Sequence, residues 1–392
     1  MTRPLLRLSL LPLLAIQNPF IMHAILVKDG KGPIENLYLG EAPEPMLRPG
    51  QVIVKIKAFG LNGMDILQRE GRYPAPPGAS EILGVEFSGT ITALSEGVPD
   101  FKVGDAVFGL AGGGAYAEYI AVESSLLLPK PPHLSWIEAA SIPEVFLTAY
   151  QAIVMYCETK KDEHVLIHAA ASGVGIAAIQ LARTRGASVF RRDHHPHGHS
   201  ISSIFFFAFF RRTVTATAST KEKLDWLLSM PNGATHTVNY KTQDFAEETK
   251  KISEGHGVDA VVDFVGQSHW KKNIDALARD GRMTMLAMLS GTIGSTVVII
   301  AAGSVVQEVN LADLLYKRLR VEGSTLRSRT VEYQADLVLR FSKEILPNIT
   351  GPNGKGPIKT YIHKVYSWTK IQEAHRDMEA NVNIGKLIVE ID

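Results

Sequence analysis

The chain has 392 residues, enough for two domains with hydrophobic cores, and its 45% apolar and 21% charged content is that of a globular protein. Lys and Arg number 41 against 40 Asp and Glu, a net charge of +1, so bulk electrostatics favour neither nucleic acid nor an anionic membrane as a partner. The single cysteine, Cys157, excludes an intrachain disulfide framework and any multi-cysteine zinc site, and it suits a reducing compartment.

Residues 1–21, "MTRPLLRLSLLPLLAIQNPFI", carry Arg3 and Arg7, no acidic residue and a leucine-rich middle. They read as a transit peptide or weak secretory signal, or as an extension ahead of a functional start at Met22. Pro12 and the short apolar run argue against a membrane-spanning helix. From 22 to 145 short strands alternate with turns: "MHAILVKDG" opens as a strand, "QVIVKIKAFGLN" alternates, and "FKVGDAVFGL" is a turn feeding another strand. From about 146 the rhythm becomes strand, glycine turn, helix. "HVLIHAA" is a strand, "GIAAIQLARTRG" a helix ending at Gly186, "TVTATAST" a strand and "KEKLDWLLSM" a helix. Strands at "GVDAVVDFVG" and "GRMTMLAML" continue the alternation, which implies a parallel sheet with helices on both faces. From about 327 a long helix, "VEYQADLVLRFSKEIL", precedes strands at "IHKVYS" and "GKLIVEI". The expected architecture is α/β: a mostly-β domain split between 22–145 and 327–392, with a doubly wound α/β domain, 146–326, inserted in it.

"HAAASGVG", His168 to Gly175, lies between the first strand and helix of the α/β unit. Small residues there let backbone N–H groups approach a dinucleotide pyrophosphate, and the helix N-terminus adds partial positive charge. The match is imperfect, because alanine stands at 170 and 171 where the full pattern has a glycine. An NAD site normally ends the second strand with an acid about 20 residues beyond the glycines. Here "TATASTKEK" has no acid at its tip; Thr220 and Lys223 suit a 2′-phosphate instead, which favours NADPH. Lys221 competes for that role, and either lysine can equally cap a solvated helix.

Gly175 and Thr217 stand 42 positions apart, twice the usual separation, and residues 188–212 account for the excess. That stretch holds four of the 13 histidines, at 194, 195, 197 and 199, and five of the 15 phenylalanines, between Phe205 and Phe210. The histidines form a low-specificity metal pattern, and "ISSIFFFAFF" is half the length a membrane anchor needs. A translated, unspliced intron explains a Phe-dense run before the sequence resumes at Thr213.

The chain resembles the zinc-free quinone oxidoreductases of the medium-chain dehydrogenase/reductase superfamily, nearest the p53-inducible quinone oxidoreductase branch. The residues that carry the resemblance are "GLNGMDILQREGRYPAPPGASEILGVEFSG" (60–89), "AASIPEVFLTAYQ" (139–151) and "LIHAAASGVGIAAIQLA" (166–182), then "TLRSR" (325–329) and "EANVNIGKLIVEI" (379–391). It implies a GroES-like catalytic domain with a Rossmann domain, a homodimer, and NADPH-dependent reduction of quinones or activated alkenes. The zinc members need a cysteine within "LNGMD" and a histidine before Glu86; Asn62 and Val85 stand there, so no metal is expected. The resemblance gives Tyr73 and Asn62 orienting and hydrogen-bonding roles in the substrate cleft. The alternatives are a loop aromatic packed on prolines for Tyr73 and a turn residue for Asn62. Ser172, Gly173, Val174 and Gly175 would meet the pyrophosphate, and Thr148 the nicotinamide. Tyr240 would lie beside the adenosine, or is a buried sheet-end tyrosine. Val265, Gly266 and Met288 would border the nicotinamide ribose, and Leu326, Arg327, Asn383 and Lys386 would close the cleft. A second insertion, 294–306, departs from the family. The location implied is cytoplasmic, or mitochondrial if residues 1–21 are a transit peptide. A catalytically silent nucleotide-binding protein and an enoyl reductase of secondary metabolism are the competing readings.

Overall fold

The computed structural model describes residues 20–184, 212–287, 311–351 and 355–392. Strands β1 (Ile21–Val27) and β2 (Leu37–Pro43) form an antiparallel pair. β3 (Gln51–Gly60) buries Val52, Val54 and Ile56 and exposes Lys55, the period of two that its sequence shows. The helix α1 (Gly63–Arg69) follows, and then β4 (Glu86–Leu94), β5 (Ala106–Leu110), β6 (Tyr119–Glu123) and β7 (Leu127–Pro129). Two short helices close the segment, α2 (Trp136–Ala140) and α3 (Pro143–Tyr150). α3 runs through residue 145, where the first domain was expected to end, and continues as a π-helical turn over Gln151–Tyr156.

The inserted unit alternates as its sequence implies. It runs β8 (His164–Ile167), α4 (Gly173–Thr184), β9 (Thr213–Ala218), α5 (Lys221–Ser229), β10 (His236–Asn239) and α6 (Phe245–Ile252). It continues with β11 (Val258–Asp263), α7 (Trp270–Ala276), β12 (Leu277–Met285), α8 (Leu311–Lys317) and β13 (Arg320–Gly323). All its strand pairs are parallel, in the order β10-β9-β8-β11-β12-β13. In units of the inserted domain this is 3-2-1-4-5-6, the doubly wound order whose switch point lies between β8 and β11. The chain then returns through α9 (Val331–Glu344), α10 (Leu346–Thr350), β14 (Ile362–Ser367), α11 (Ile371–Glu379) and β15 (Lys386–Glu390). β14 and β15 join the antiparallel sheet at β3, giving the order β14-β15-β3-β4-β5-β7 with β6 also on β3. The mostly-β domain is therefore split in sequence and whole in space.

One apolar cluster crosses both units. Phe108 and Leu128 of the antiparallel sheet, Phe146 of α3 and Phe341 of α9 meet Val165 of β8 and Ile179 of α4. Such continuous packing holds the two sheets at a set separation, and the cleft between them inherits that geometry. Arg212, assigned to the inserted stretch, instead belongs to the fold: it is buried, and its guanidinium donates to Thr159 Oγ1 and the Ala182 carbonyl, each at 3.3 Å.

Candidate active site

The glycine turn follows β8 directly. Gly175 N donates to Ser172 Oγ at 3.1 Å and Ser172 N to the Ala169 carbonyl at 2.9 Å, folding the chain into the first turn of α4. A Cβ on Gly175 would stand 2.7 Å from Ala169 O, Ala170 Cα and Ala170 O, so only glycine lets the helix start this close to the turn. Ala170 and Ala171, the departures from the full glycine pattern, are buried with their methyls in the core, so the turn tolerates them. Ser172, Gly173 and Val174 remain partly exposed at the helix N-terminus.

The switch point lies beside this turn. Val262 pairs with Ile167, and His168 N donates to the Val262 carbonyl at 3.1 Å, so the ends of β8 and β11 are adjacent. Asp263, fully buried, accepts from Val265 N at 2.9 Å and Gly266 N at 3.1 Å; Gly266 sits at φ +81°, where a side chain is strained. Burial pushes the Asp263 carboxyl up to about 6. His168 accepts from Thr217 Oγ1 (2.9 Å) and donates to Asn273 Oδ1 (2.7 Å), and burial with nearby His269 pushes it down to about 3. His269 stacks on Phe245 at 5.0 Å, and Tyr240, 37% exposed, meets its ring edge-on at 5.6 Å. These rings form an aromatic platform at the sheet edge. Tyr240 is exposed rather than the buried sheet-end tyrosine of the alternative reading; His269 and Phe245, which the sequence did not single out, join it because α6 and α7 converge.

Thr220 caps α5, accepting from Lys223 N at 3.3 Å, and the buried Lys223 ammonium donates to the Asn381 carbonyl at 2.6 Å. Lys221, its competitor, is exposed and paired with Asp225 at 2.5 Å. The expected Met288 contact and the second insertion lie outside the described residues.

The facing wall belongs to the antiparallel domain and is built from charge. Asn62, just ahead of α1, is buried: its main-chain N–H donates to Asp65 Oδ2 (2.8 Å) and its amide to Glu86 Oε1 (2.9 Å). Lys386 directs its ammonium at Asn62 Oδ1 and the Leu61 carbonyl, both 2.6 Å, and at Glu86 Oε1, 2.5 Å. Glu86 Oε2 accepts from the main chain of Glu144 at 2.9 Å. Burial and the neighbouring Glu86 push Glu144 up to about 8; burial pushes Asp65 to about 6 against the pull of Lys386 and Arg327. Thr148, the only residue of α3 that is not fully buried, has its hydroxyl 3.4 Å from Glu144 Oε1. Asn383 turns inward, donating to the Gly385 carbonyl at 2.7 Å. Behind α1, Tyr116 donates to Asp65 Oδ2 at 3.1 Å, and Arg69 ties α1 to α11 through Glu379 at 2.6 Å.

Arg327 crosses between the walls. It leaves the segment beyond β13, next to the buried Leu326, and donates to the Gly112 carbonyl and Gln68 Oε1, each at 2.7 Å. Its Nη2 is buried without a partner, and its guanidinium lies 5.7 Å from the centre of the half-buried Tyr73 ring. Burial raises the Tyr73 phenol, which keeps its proton at neutral pH; burial lowers the guanidinium, which starts from so high a value that it stays charged. Thus Arg327 and Tyr73 are neighbours and Thr148 lies beside Glu144, while Asn62, Lys386 and Asn383 are committed to the protein around them.

A glycine turn opening a helix at the switch point of a doubly wound sheet, facing a charged cleft in a second domain, defines a pyridine-nucleotide-dependent oxidoreductase. Residues 48–132 match the alcohol dehydrogenase GroES-like domain and residues 209–343 the zinc-binding dehydrogenase domain. The synaptic vesicle membrane protein VAT-1 homolog of Rattus norvegicus is 30% identical over 369 residues, 93% of this chain and 83% of that protein. A mycobacterial protein solved as a complex with NADPH superposes with a TM-score of 0.74 at 25% identity, covering 94% of this chain and 99% of that one. The quinone oxidoreductase of Coxiella burnetii gives 0.68 at 27% identity, with 95% and 100% covered. The chain belongs to the zinc-free quinone oxidoreductase family of the medium-chain dehydrogenase/reductase superfamily. Among the described residues no helix is long and apolar enough to cross a membrane, and no group of three or more His, Cys, Asp or Glu side chains is placed to hold a metal ion.

Proposed function

We propose that the protein is an NADPH-dependent reductase of quinones or other activated alkenes, working by hydride transfer without a metal. The observation that carries this reading is the Nη2 group of Arg327: a buried cationic donor with no hydrogen-bond partner among the described residues, its guanidinium 5.7 Å from the Tyr73 ring. A buried N–H without an acceptor is costly unless a ligand oxygen completes it. Hydride addition to a conjugated carbonyl puts negative charge on oxygen, and a guanidinium already fixed by Gly112 and Gln68 meets that charge without reorganising.

The cofactor site is read in the same terms. Backbone N–H groups of Ser172, Gly173, Val174 and Gly175 would hold the pyrophosphate, Tyr240 with His269 the adenine, and Thr220 with Lys223 the 2′-phosphate. Val265, Gly266 and Leu326 would bound the ribose and nicotinamide, with Thr148 beneath. When bound, the reduced nicotinamide supplies the hydride. This chain's residues orient the substrate oxygen toward Arg327 and Tyr73 and exclude water. Lys386 neutralises Glu86 and fixes Asn62, so its role is positioning. Support for NADPH comes from the absence of an acid at the tip of β9 and from the relative crystallised with that cofactor. A cytoplasmic homodimer is the assembly that accompanies this reading.

The test is NADPH and NADH oxidation with a panel of ortho- and para-quinones and enones, beside direct titration of both cofactors. Turnover with NADPH, weakened in Lys223→Met while NADH use is unchanged, is the expected result. Tight NADPH binding with no turnover on any acceptor would show a catalytically silent nucleotide-binding protein.

A further inference from the structure

Hydride transfer to a conjugated carbonyl leaves the substrate one proton short, and neither donor in the cleft gives one up readily. Arg327 stays protonated in proteins, and burial makes the Tyr73 phenol a weaker acid than usual. Three buried acids stand behind the cleft wall. Glu86 is committed to Lys386, Asn62 and the main chain of Glu144. Asp65 is held through Oδ2 by the Asn62 main chain and Tyr116. Glu144 differs from both: no salt bridge among the described residues holds it, and the hydroxyl within reach of its carboxyl belongs to Thr148, the one partly exposed residue of α3.

We propose that Glu144 is the proton source of the reduction and that the Thr148 hydroxyl relays its proton to the substrate. The inference rests on the reductase reading above. As hydride and its electron pair reach the substrate carbon, the carbonyl π bond becomes a lone pair on oxygen. That oxygen takes the Thr148 proton, and the Thr148 oxygen takes the proton of Glu144 as the Glu144 O–H bond breaks. The substrate has gained a hydride and a proton, the dihydronicotinamide is oxidised, and Glu144 is left as a carboxylate that water reprotonates before the next turnover. A threonine hydroxyl rotates between donating and accepting, and a resting separation of 3.4 Å tightens when substrate is bound.

The surroundings of Glu144 support the acid form at neutral pH. Glu86 from β4 and Asp65 from α1 oppose its ionisation, Lys386 from β15 and Arg327 from beyond β13 favour it, and burial decides the balance toward the neutral carboxyl, up to about 8. This carboxyl is thus matched to donate near neutral pH, as an effective general acid must be.

The experiment compares wild type with Glu144→Gln, Thr148→Val and Thr148→Ser in single-turnover quinone reduction across pH 6 to 10, about two units either side of the acid's midpoint. NADPH titrations and infrared difference spectra accompany it. The wild-type rate is expected to fall as pH rises through about 8, with a solvent deuterium effect. E144Q and T148V lose roughly 10²-fold in rate and lose the pH limb, T148S restores both, and NADPH affinity is unchanged in E144Q. The spectrum of wild type minus E144Q shows a protonated carboxyl band that disappears over the same pH range. An E144Q enzyme that keeps the limb, a T148V enzyme as fast as wild type, or no such band overturns the proposal while the reductase reading stands. A wild type that binds NADPH and reduces nothing overturns both.

Discussion

The two walls of the cleft solve opposite electrostatic problems. On the parallel-sheet side the buried polar groups serve the backbone: Asp263 shapes the loop through Val265 and Gly266, and His168 stays neutral between Thr217 and Asn273. On the antiparallel side Asp65, Glu86, Glu144, Lys386 and Arg327 all lie within one network, buried and partly uncompensated. A dinucleotide is held by backbone geometry and a helix terminus, which the parallel-sheet wall supplies. A reaction that creates charge and needs a proton calls for the other kind of wall. The difference supports the proposed division, with binding on one side and chemistry on the other.

The comparison breaks most visibly at Lys386. Lys386→Met leaves Glu86 buried beside Glu144 with no counter-charge, and denaturant unfolding should show a loss of about 3–5 kcal/mol. Adding Glu86→Gln should recover much of it; a double mutant as unstable as the single would mean that Lys386 acts by packing. Next, Arg327→Met removes the free donor from the charged wall. Its kcat is expected to fall by roughly 10²–10³ with NADPH affinity little changed, and a reversed pattern, lost binding with intact kcat, would place Arg327 with the cofactor. On the parallel-sheet wall, Gly175→Ala forces a Cβ against backbone atoms at 2.7 Å. Calorimetric NADPH titration should show about 1–3 kcal/mol lost, with the fold retained.

Stability against pH separates the walls by sign. Glu144, raised from its ordinary 4.5 to about 8, binds its proton more tightly when folded; its contribution is full below 4.5 and is lost as pH rises toward 8. His168, lowered from 6.5 to about 3, contributes fully above 6.5 and loses that contribution as pH falls toward 3. Thermal melts across pH should therefore decline on both sides, and E144Q should flatten only the alkaline one. The smallest effect is expected from replacing residues 188–210 with a short glycine-containing turn. Arg183 Nη1 meets the Arg212 carbonyl at 2.5 Å, so the flanking ends already lie together at the sheet edge opposite the cofactor end. NADPH affinity should not change, provided Arg212 is kept.

Much of the frame was legible because it depends on local pattern. Residues 164–167, 213–218 and 258–263 are short apolar strands between turn signals, and 331–344 is amphipathic; each appears where its periodicity put it. The strands His236–Asn239 and Arg320–Gly323 went unread. They are four residues each with polar positions, and they are strands because neighbours pair with them. The family resemblance pointed to Tyr73, Asn62 and Thr148, and the strand-to-helix setting pointed to the glycine turn. Neither pointed to Glu144, whose one signal was a lone acid opening the apolar run "VFLTAY".

By itself, then, the order of residues determined the two-domain plan, the glycine turn and the lack of cysteine for zinc, since composition, period and spacing are properties of the chain. Only the tertiary structure decided which charges meet. Glu86 finds Lys386 300 positions away, and Glu144 is made an acid by what surrounds it. An ionisable group's proton affinity depends on dielectric and neighbours, and both exist only once the two sheets have closed over the cleft.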